Sequence, residues 1–378
     1  GNNNFFQINL DTCEQIRAKS ADWGDFDNDG DKDLLLSCRL IFYGSAAYYD
    51  CRIYENKGND VFEKIDIDTE GIFGNISWCD FNNDSYLDII VSGRLEPYGS
   101  YTETRIYQSN QAESFSEVST IVDYKNAAFC LGDIDNDCDF DIFIRGIDPD
   151  SGSTSTSLFI NNGSFNFTNS GLSFPDNFSR ANMFDYNNDG WLDLVCSGDG
   201  YIYENSGNLQ FDLIEHLTFH SNNGNISMGD IDHDHDLDIF VAGNNSGVFR
   251  NNLNIKNSPP NSPDSPEIKL LTADTAIFSW NRSSDIETSQ NCLTYNFCIG
   301  SHPDTMNIIA PVADLSTGFR KIIEHGNTGY DTSYAFGRID TGIYFWTVQA
   351  LDVNYEGSEF MQVQNLTITS NAQNIQLD

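Results

Sequence analysis

Asp25-Phe26-Asp27-Asn28-Asp29-Gly30-Asp31-Lys32-Asp33 is the stretch on which the reading of this sequence turns. It returns four times: Asp80-Phe81-Asn82-Asn83-Asp84-Ser85-Tyr86-Leu87-Asp88, Asp133-Ile134-Asp135-Asn136-Asp137-Cys138-Asp139-Phe140-Asp141, Asp185-Tyr186-Asn187-Asn188-Asp189-Gly190-Trp191-Leu192-Asp193 and Asp230-Ile231-Asp232-His233-Asp234-His235-Asp236-Leu237-Asp238. Successive starts lie 55, 53, 52 and 45 residues apart. Self-similarity at such a period marks a repeat architecture, and its length suits a four-stranded propeller blade. After each last Asp comes a short apolar strand, Leu34–Leu36, Ile89–Val91, Ile142–Ile144, Leu194–Val195 and Ile239–Val241. An aromatic strand ending in Asn or Gln follows, as in Arg52–Asn56, Arg105–Gln108, Leu158–Asn161 and Tyr201–Asn205. A Gly or Asn turn then leads to a fourth strand, such as Val61–Ile65 or Phe211–Ile214. Short strands at even spacing between turn residues are an all-β signature.

The acidic loops have a chemistry of their own. Calcium takes six to eight oxygen ligands, and carboxylates with backbone carbonyls supply them. Acidic or amide residues at positions 1, 3 and 5 converge on one ion, position 7 adds its carbonyl, and Asp at position 9 returns from the next strand. The expected ligands are Asp25, Asp27, Asp29, Asp31 and Asp33; Asp80, Asn82, Asp84 and Asp88; Asp133, Asp135, Asp137 and Asp141; Asp185, Asn187, Asp189 and Asp193; and Asp230, Asp232, Asp234 and Asp238. Position 6 needs a tight turn that favours Gly, which Gly30 and Gly190 provide; Ser85, Cys138 and His235 stand there in the other copies, and weaker sites are expected for them. No Glu at position 12 serves in the EF-hand manner. These windows hold 21 of the 57 acidic residues, a clustering that repels itself unless a cation neutralises it. About one calcium ion per repeat is expected. His233 and His235 read as solvent-facing turn residues.

The repeat resembles the FG-GAP (VCBS-type) repeats of the integrin α-chain propeller and of secreted bacterial proteins, over roughly residues 1–255. That resemblance implies a propeller, calcium in the hairpin loops, and adhesion or ligand recognition. The departures are five copies rather than seven blades, and a metal loop in every copy, so integrin-type recognition residues do not carry over. The fifth copy has no fourth strand after Val248–Asn251, whereas Gly1–Leu10 matches a turn and fourth strand. Two readings stand: the N-terminal strand closes the last blade, or it is left over from an upstream blade of a longer array.

Asn257–Pro266 is rich in proline and reads as a semi-rigid connector. Beyond it, Ala276–Trp280, Leu293–Phe297 and Gly342–Ala350 alternate as strands, which suits a seven-stranded sandwich. This part resembles a fibronectin type III domain, with Trp280 in its second strand; such modules act as spacers or docking units. The expected class is therefore all-β: a five-bladed β-propeller with calcium-binding loops over residues 1–256, a linker over 257–267, and a fibronectin type III-like sandwich over 268–378. Leu351-Asp352-Val353 matches a short adhesion tripeptide that chance explains as well.

Lys and Arg number 19 against 57 Asp and Glu, a net charge of -38. That balance repels phosphate backbones and anionic lipid, so nucleic-acid partners and direct membrane insertion are not expected; a protein or glycan ligand, or further copies of the chain, is. An aromatic share of 13% argues against acidic disorder. Nine Cys without a CxxC pair indicate an oxidising compartment, and a start at Gly1 without a signal peptide reads as a processed or excised piece of a secreted protein. Extracellular or cell-surface placement follows. A Cys38–Cys51 disulfide is expected across a hairpin, Cys292 and Cys298 share one strand, and Cys79, Cys130 and Cys196 read as buried thiols. Asn-x-Ser/Thr acceptors stand at Asn75, Asn83, Asn162, Asn166, Asn177, Asn225, Asn244, Asn281 and Asn365. No HExxH, GxSxG, Walker or dinucleotide motif is found, so the chain is expected not to be an enzyme. The function expected is an adhesion or recognition module, with a structural subunit of an extracellular assembly, or less readily a calcium-dependent polysaccharide-active enzyme, as alternatives.

Overall fold

The computed structural model describes residues 7–8, 10, 15–41, 48–67, 69, 71–95, 101–174, 180–198, 200–216, 224–243, 246–270, 275–337 and 341–369. The sheets of the first part are built alike around the acidic loops. The first sheet runs β1 (Gln15–Gly24), β2 (Asp33–Ile41), β3 (Tyr48–Asn56) and β4 (Phe62–Ile65), hydrogen-bonded in that order. The second has β5 (Phe73–Cys79), β6 (Asp88–Arg94), β7 (Thr102–Ser109) and β8 (Phe115–Val122). The third is β9 (Lys125–Gly132), β10 (Asp141–Ile147), β11 (Thr154–Asn161) and β12 (Phe167–Asn169). The fourth is β13 (Ala181–Phe184), β14 (Asp193–Cys196), β15 (Tyr201–Asn205) and β16 (Phe211–His216). The fifth shows three described strands, β17 (Ile226–Gly229), β18 (Asp238–Val241) and β19 (Gly247–Phe249). Each acidic loop is thus the hairpin between the first and second strands of its sheet.

Two three-stranded antiparallel sheets follow: β20 (Asp264–Leu270), β21 (Ala276–Asn281) and β23 (Ser333–Phe336), then β22 (Thr294–Gly300), β24 (Gly342–Leu351) and β25 (Gln364–Ile368). Strand β20 begins inside the segment read as a connector, and six strands are described where seven were expected. Phe278, Trp280, Phe297, Tyr334, Trp346 and Val348 from both sheets share one core. The chain is all-β, with no α-helix among the described residues and a single 3-10 turn at Gln290–Cys292. Cys292 closes that turn, whereas Cys298 lies in β22, so the two do not share one strand as the sequence suggested.

Contacts divide the chain into two compact units. The first comprises Gly1–Phe81, Tyr86–Ala128 and Arg145–Ser155; the second comprises Asn82–Ser85, Phe129–Ile144 and Thr156–Asp378. In the first unit, Leu35 and Ile53 of one sheet, with Phe26 of its acidic loop, pack on Ile76, Trp78, Ile89 and Tyr107 of the next. In the second, Phe143, Leu158 and Ile160 pack on Met183, Leu194 and Tyr203. The other face of the fourth sheet, through Phe184, Val195 and Ile202, meets Ile226, Ile239 and Val241. A sheet buried on both faces has near-continuous apolar strands rather than alternating ones, which is why Leu34–Leu36 and Ile89–Val91 read as apolar runs. Most of Gly1–Leu10, expected to close the fifth sheet, lies outside the described residues; Leu10 packs against Leu34, Leu36 and Tyr54 of the first.

The expected Cys38–Cys51 disulfide is not formed. Cys51 pairs with Ser37, and Cys38 with Asp50. Residues directly opposite each other share a face and successive residues alternate, so the two sulfurs leave the sheet on opposite sides. Both side chains are buried.

Asparagines that end the third strands join successive sheets. Asn205 Nδ2 donates to Ile134 O at 2.8 Å and Leu192 O at 3.1 Å, and its Oδ1 accepts Gly207 N–H. Asn251 Nδ2 donates likewise to Tyr186 O at 2.8 Å. Asn205→Ala strands two buried carbonyls, and equilibrium urea unfolding should show a loss of about 2–3 kcal/mol; a loss under about 0.5 kcal/mol would show that the stitch carries no stability.

Candidate metal centre

Each loop is folded by its own aspartates. The carboxylate at position 1 accepts the backbone N–H groups of positions 5 and 6. Asp25 takes Asp29 and Gly30 at 3.0 Å each, Asp133 takes Asp137 at 3.0 Å and Cys138 at 2.9 Å, Asp185 takes Asp189 at 3.1 Å and Gly190 at 2.7 Å, and Asp230 takes Asp234 and His235 at 3.3 Å. The backbone is left-handed at position 4 in all five copies, with φ between 56° and 63°, and again at position 6. Asn tolerates that region better than most residues, which accounts for Asn at position 4 in four copies.

The position 9 aspartates are buried and doubly engaged. One oxygen accepts the position 2 N–H: Phe26 to Asp33 at 3.2 Å, Phe81 to Asp88 at 2.9 Å, Ile134 to Asp141 at 2.9 Å, Tyr186 to Asp193 at 2.9 Å and Ile231 to Asp238 at 3.0 Å. The other oxygen accepts an N–H from the end of the third strand. Its donors are Asn56, Ser109, Asn161, Asn205 and Asn251, at 2.7–2.9 Å. The sequence assigned these residues only to a metal; the geometry also makes each one a clamp on its hairpin.

The remaining carboxylates gather where a cation would sit. Asp25, Asp27 and Asp29, then Asp133, Asp135 and Asp141, then Asp230, Asp232 and Asp234 each offer oxygens within 4.8 Å of one another. Oxygens about 2.3–2.6 Å from one ion lie at most about 5 Å apart, so these three sets fit a hard divalent cation. Asp135 Oδ1 is buried without a hydrogen-bond partner. Asn82 and Asn187 take position 3 in the other two loops, where each amide donates to the position 5 aspartate. Asp31 belongs to none of these sets; its N–H donates to Asp29. Loop five differs, because Arg250 forms an ion pair with Asp232 and reaches Asp234 at 3.5 Å.

The loops are also chained to one another within the second unit. The amide of position 4 donates to the position 6 carbonyl of the following loop: Asn83 to Cys138 at 3.0 Å, Asn136 to Gly190 at 2.9 Å, and Asn188 to His235 at 3.4 Å. Position 6 faces the segments that connect the C-terminal strands. Ser85 Oγ donates to Asp331 at 2.5 Å, Cys138 meets Cys292, and His235 Nδ1 lies 3.3 Å from Glu356. At Gly190 an added Cβ would stand 2.1 Å from Glu287 O. His233, at the end of the chain of loops, sets its ring edge-on to Phe319 at 4.7 Å. His233 is exposed and the His235 side chain is 41% exposed, so both remain largely solvent-facing, as the sequence suggested, while making these contacts. Asp352 is buried, accepting Asn257 Nδ2 at 2.5 Å and Glu356 N–H at 2.8 Å, so the Leu351–Val353 tripeptide is not displayed. Asn75, a candidate glycan acceptor, spends its amide on Ala127 O at 2.6 Å; Asn177 and Asn244 lie outside the described residues.

Among known proteins, the FG-GAP-like repeat family matches residues 133–196 and 185–241. No curated protein matches the chain. A solved structure of chicken CNTN1 FN1–FN3 domains aligns over 79% of this chain and 99% of its own, at 11% identity and a TM-score of 0.24. No helix among the described residues is long and apolar enough to cross a membrane.

Burial pushes Asp25, Asp133 and Asp185 up to about 7, and neighbouring loop carboxylates add to the rise. Burial likewise pushes Asp33, Asp141 and Asp193 up to about 8. Folded-state values above the unfolded one near 3.8 mean that the folded protein holds extra protons between about pH 4 and 8. The stability they contribute is present at low pH and lost as pH rises through 7 to 8. In excess chelator the melting temperature should therefore fall between pH 5.5 and 8.5, and scanning calorimetry that found it constant or rising would contradict the burial of these groups.

Proposed function

We propose that this chain is a secreted or cell-surface calcium-binding adhesion or recognition module. In this reading residues 1–256 form a five-bladed β-propeller, 257–267 a connector and 268–378 a fibronectin type III-like sandwich, and none of them catalyses a reaction. The observation that carries it is the recurrence of one loop geometry, with clustered, partly desolvated carboxylates, at the same hairpin of five successive sheets. Buried acidic oxygens at that density cost folding free energy until a cation neutralises them. Calcium suits them because every offered ligand is a hard oxygen. The FG-GAP-like match over residues 133–241 supports an extracellular adhesion-type role.

The proposed ligand is a protein or a glycan. A cavity of about 570 Å³ in the second unit is lined by Asn182, Asp230, Phe319, Arg320, Tyr355 and Glu356, among others. Amides, carboxylates and aromatic rings together suit a hydroxyl-rich sugar. A second reading, a subunit of an extracellular assembly, is favoured by the three described strands of the fifth sheet, whose edge strand β19 could accept a strand from another copy. A purified monomer at high concentration, by light scattering, would exclude that reading.

Native mass spectrometry in calcium should count about five ions, the last bound most weakly because Arg250 stands on Asp232 and Asp234. Asp29→Ala should remove one ion and lower the melting temperature; an unchanged count would remove loop one from the set. Arg250→Gln should strengthen the weakest step by about threefold to tenfold in calcium titration calorimetry. An unchanged or weakened step would show that the arginine does not compete with the ion.

A further inference from the structure

Cys138 occupies position 6 of the third loop with φ 74°. Two other copies place Gly at this left-handed position, and a side chain there is strained. The contact it makes gives the strain a purpose. Cys138 Sγ lies 3.1 Å from Cys292 Sγ, closer than two sulfurs rest in van der Waals contact. Cys292 is 3% exposed, fixed by the 3-10 turn Gln290–Cys292, whose Cys292 N–H donates to Ser289 O at 2.9 Å. The acidic loops on either side are likewise joined to the C-terminal part of the chain, without help from the thiols. Asn354 Nδ2 donates to Asn188 Oδ1 at 2.6 Å and Ser85 Oγ to Asp331 at 2.5 Å.

We propose that Cys138 and Cys292 are a redox pair that forms a disulfide, fastening the third acidic loop to the C-terminal sheets. The oxidant is a small-molecule disulfide. Cys138, the more exposed sulfur, attacks it as a thiolate, forming a mixed disulfide and releasing one thiol. Cys292 then loses its proton and attacks Cys138 Sγ, expelling the second thiol. Two protein thiols are oxidised and one small disulfide is reduced to two thiols, so atoms and electrons balance. The partners lie 154 residues apart in the chain, and closing a loop of that length restricts the unfolded state strongly. The bond is independent of the calcium reading.

The test uses the full reduced chain, incubated with oxidised glutathione, alkylated without reduction, digested and mapped by mass spectrometry. A crosslinked peptide joining Cys138 to Cys292 is expected, together with a melting temperature roughly 5 °C or more above that of the reduced protein. Cys292→Ser should leave Cys138 as a glutathione mixed disulfide and abolish the redox-dependent difference in melting. Alkylated Cys138 and Cys292 in the oxidised wild-type sample would overturn the proposal. So would a zinc ion retained on Asp133, Cys138 and Cys292 in place of the crosslink, detected by native mass spectrometry.

Discussion

A carboxylate shut away from water must find hydrogen bonds or a cation, and this requirement organises the molecule. At the end of every acidic loop an aspartate is buried: Asp33, Asp88, Asp141, Asp193 and Asp238. Each gives one oxygen to the start of its own loop and the other to the end of the third strand. Because both oxygens are engaged, the clamp sets the loop's exit and the spacing of strands one to three together. The other carboxylates, at positions 1, 3 and 5, are then carried into proximity by a hairpin whose shape is already fixed.

The second unit extends this local device into a larger one. Position 4 amides reach the next loop, and third-strand asparagines reach the previous one, so Asn136, Asn188, Asn205 and Asn251 tie successive sheets. Position 6 then explains itself. Its variation from Gly to Ser, Cys and His looked like weakening of metal sites when considered along the chain. In space each variant meets its own partner in the segments between the C-terminal strands: Ser85 with Asp331, Cys138 with Cys292, and His235 with Glu356. Gly190 stays Gly because Glu287 O comes too close for a side chain.

Much of this was legible beforehand because it is written at short range. The apolar runs after each last Asp became β2, β6, β10, β14 and β18, and the aromatic runs became the third strands. The first strand of each sheet escaped notice, since segments such as Lys125–Gly132 carry neither a long apolar run nor a turn signal. The Cys38–Cys51 pairing failed because one residue of register moves a side chain to the opposite face, and register is set by the whole hairpin. Arg250 was missed as a counter-ion because its partners lie 16 and 18 positions away across a sheet edge.

The sequence by itself determined the repeat, the all-β class, and the loops in which oxygen ligands concentrate, because each depends on residues within a few positions of one another. The tertiary structure decided which of those oxygens are spent on backbone N–H groups, which loop carries its own cation, and what the odd residues at position 6 touch. The first two depend on the exact register of a hairpin and its neighbouring strand, and the last on groups more than a hundred positions apart, such as Cys138 with Cys292 and Ser85 with Asp331, a meeting that no local pattern encodes.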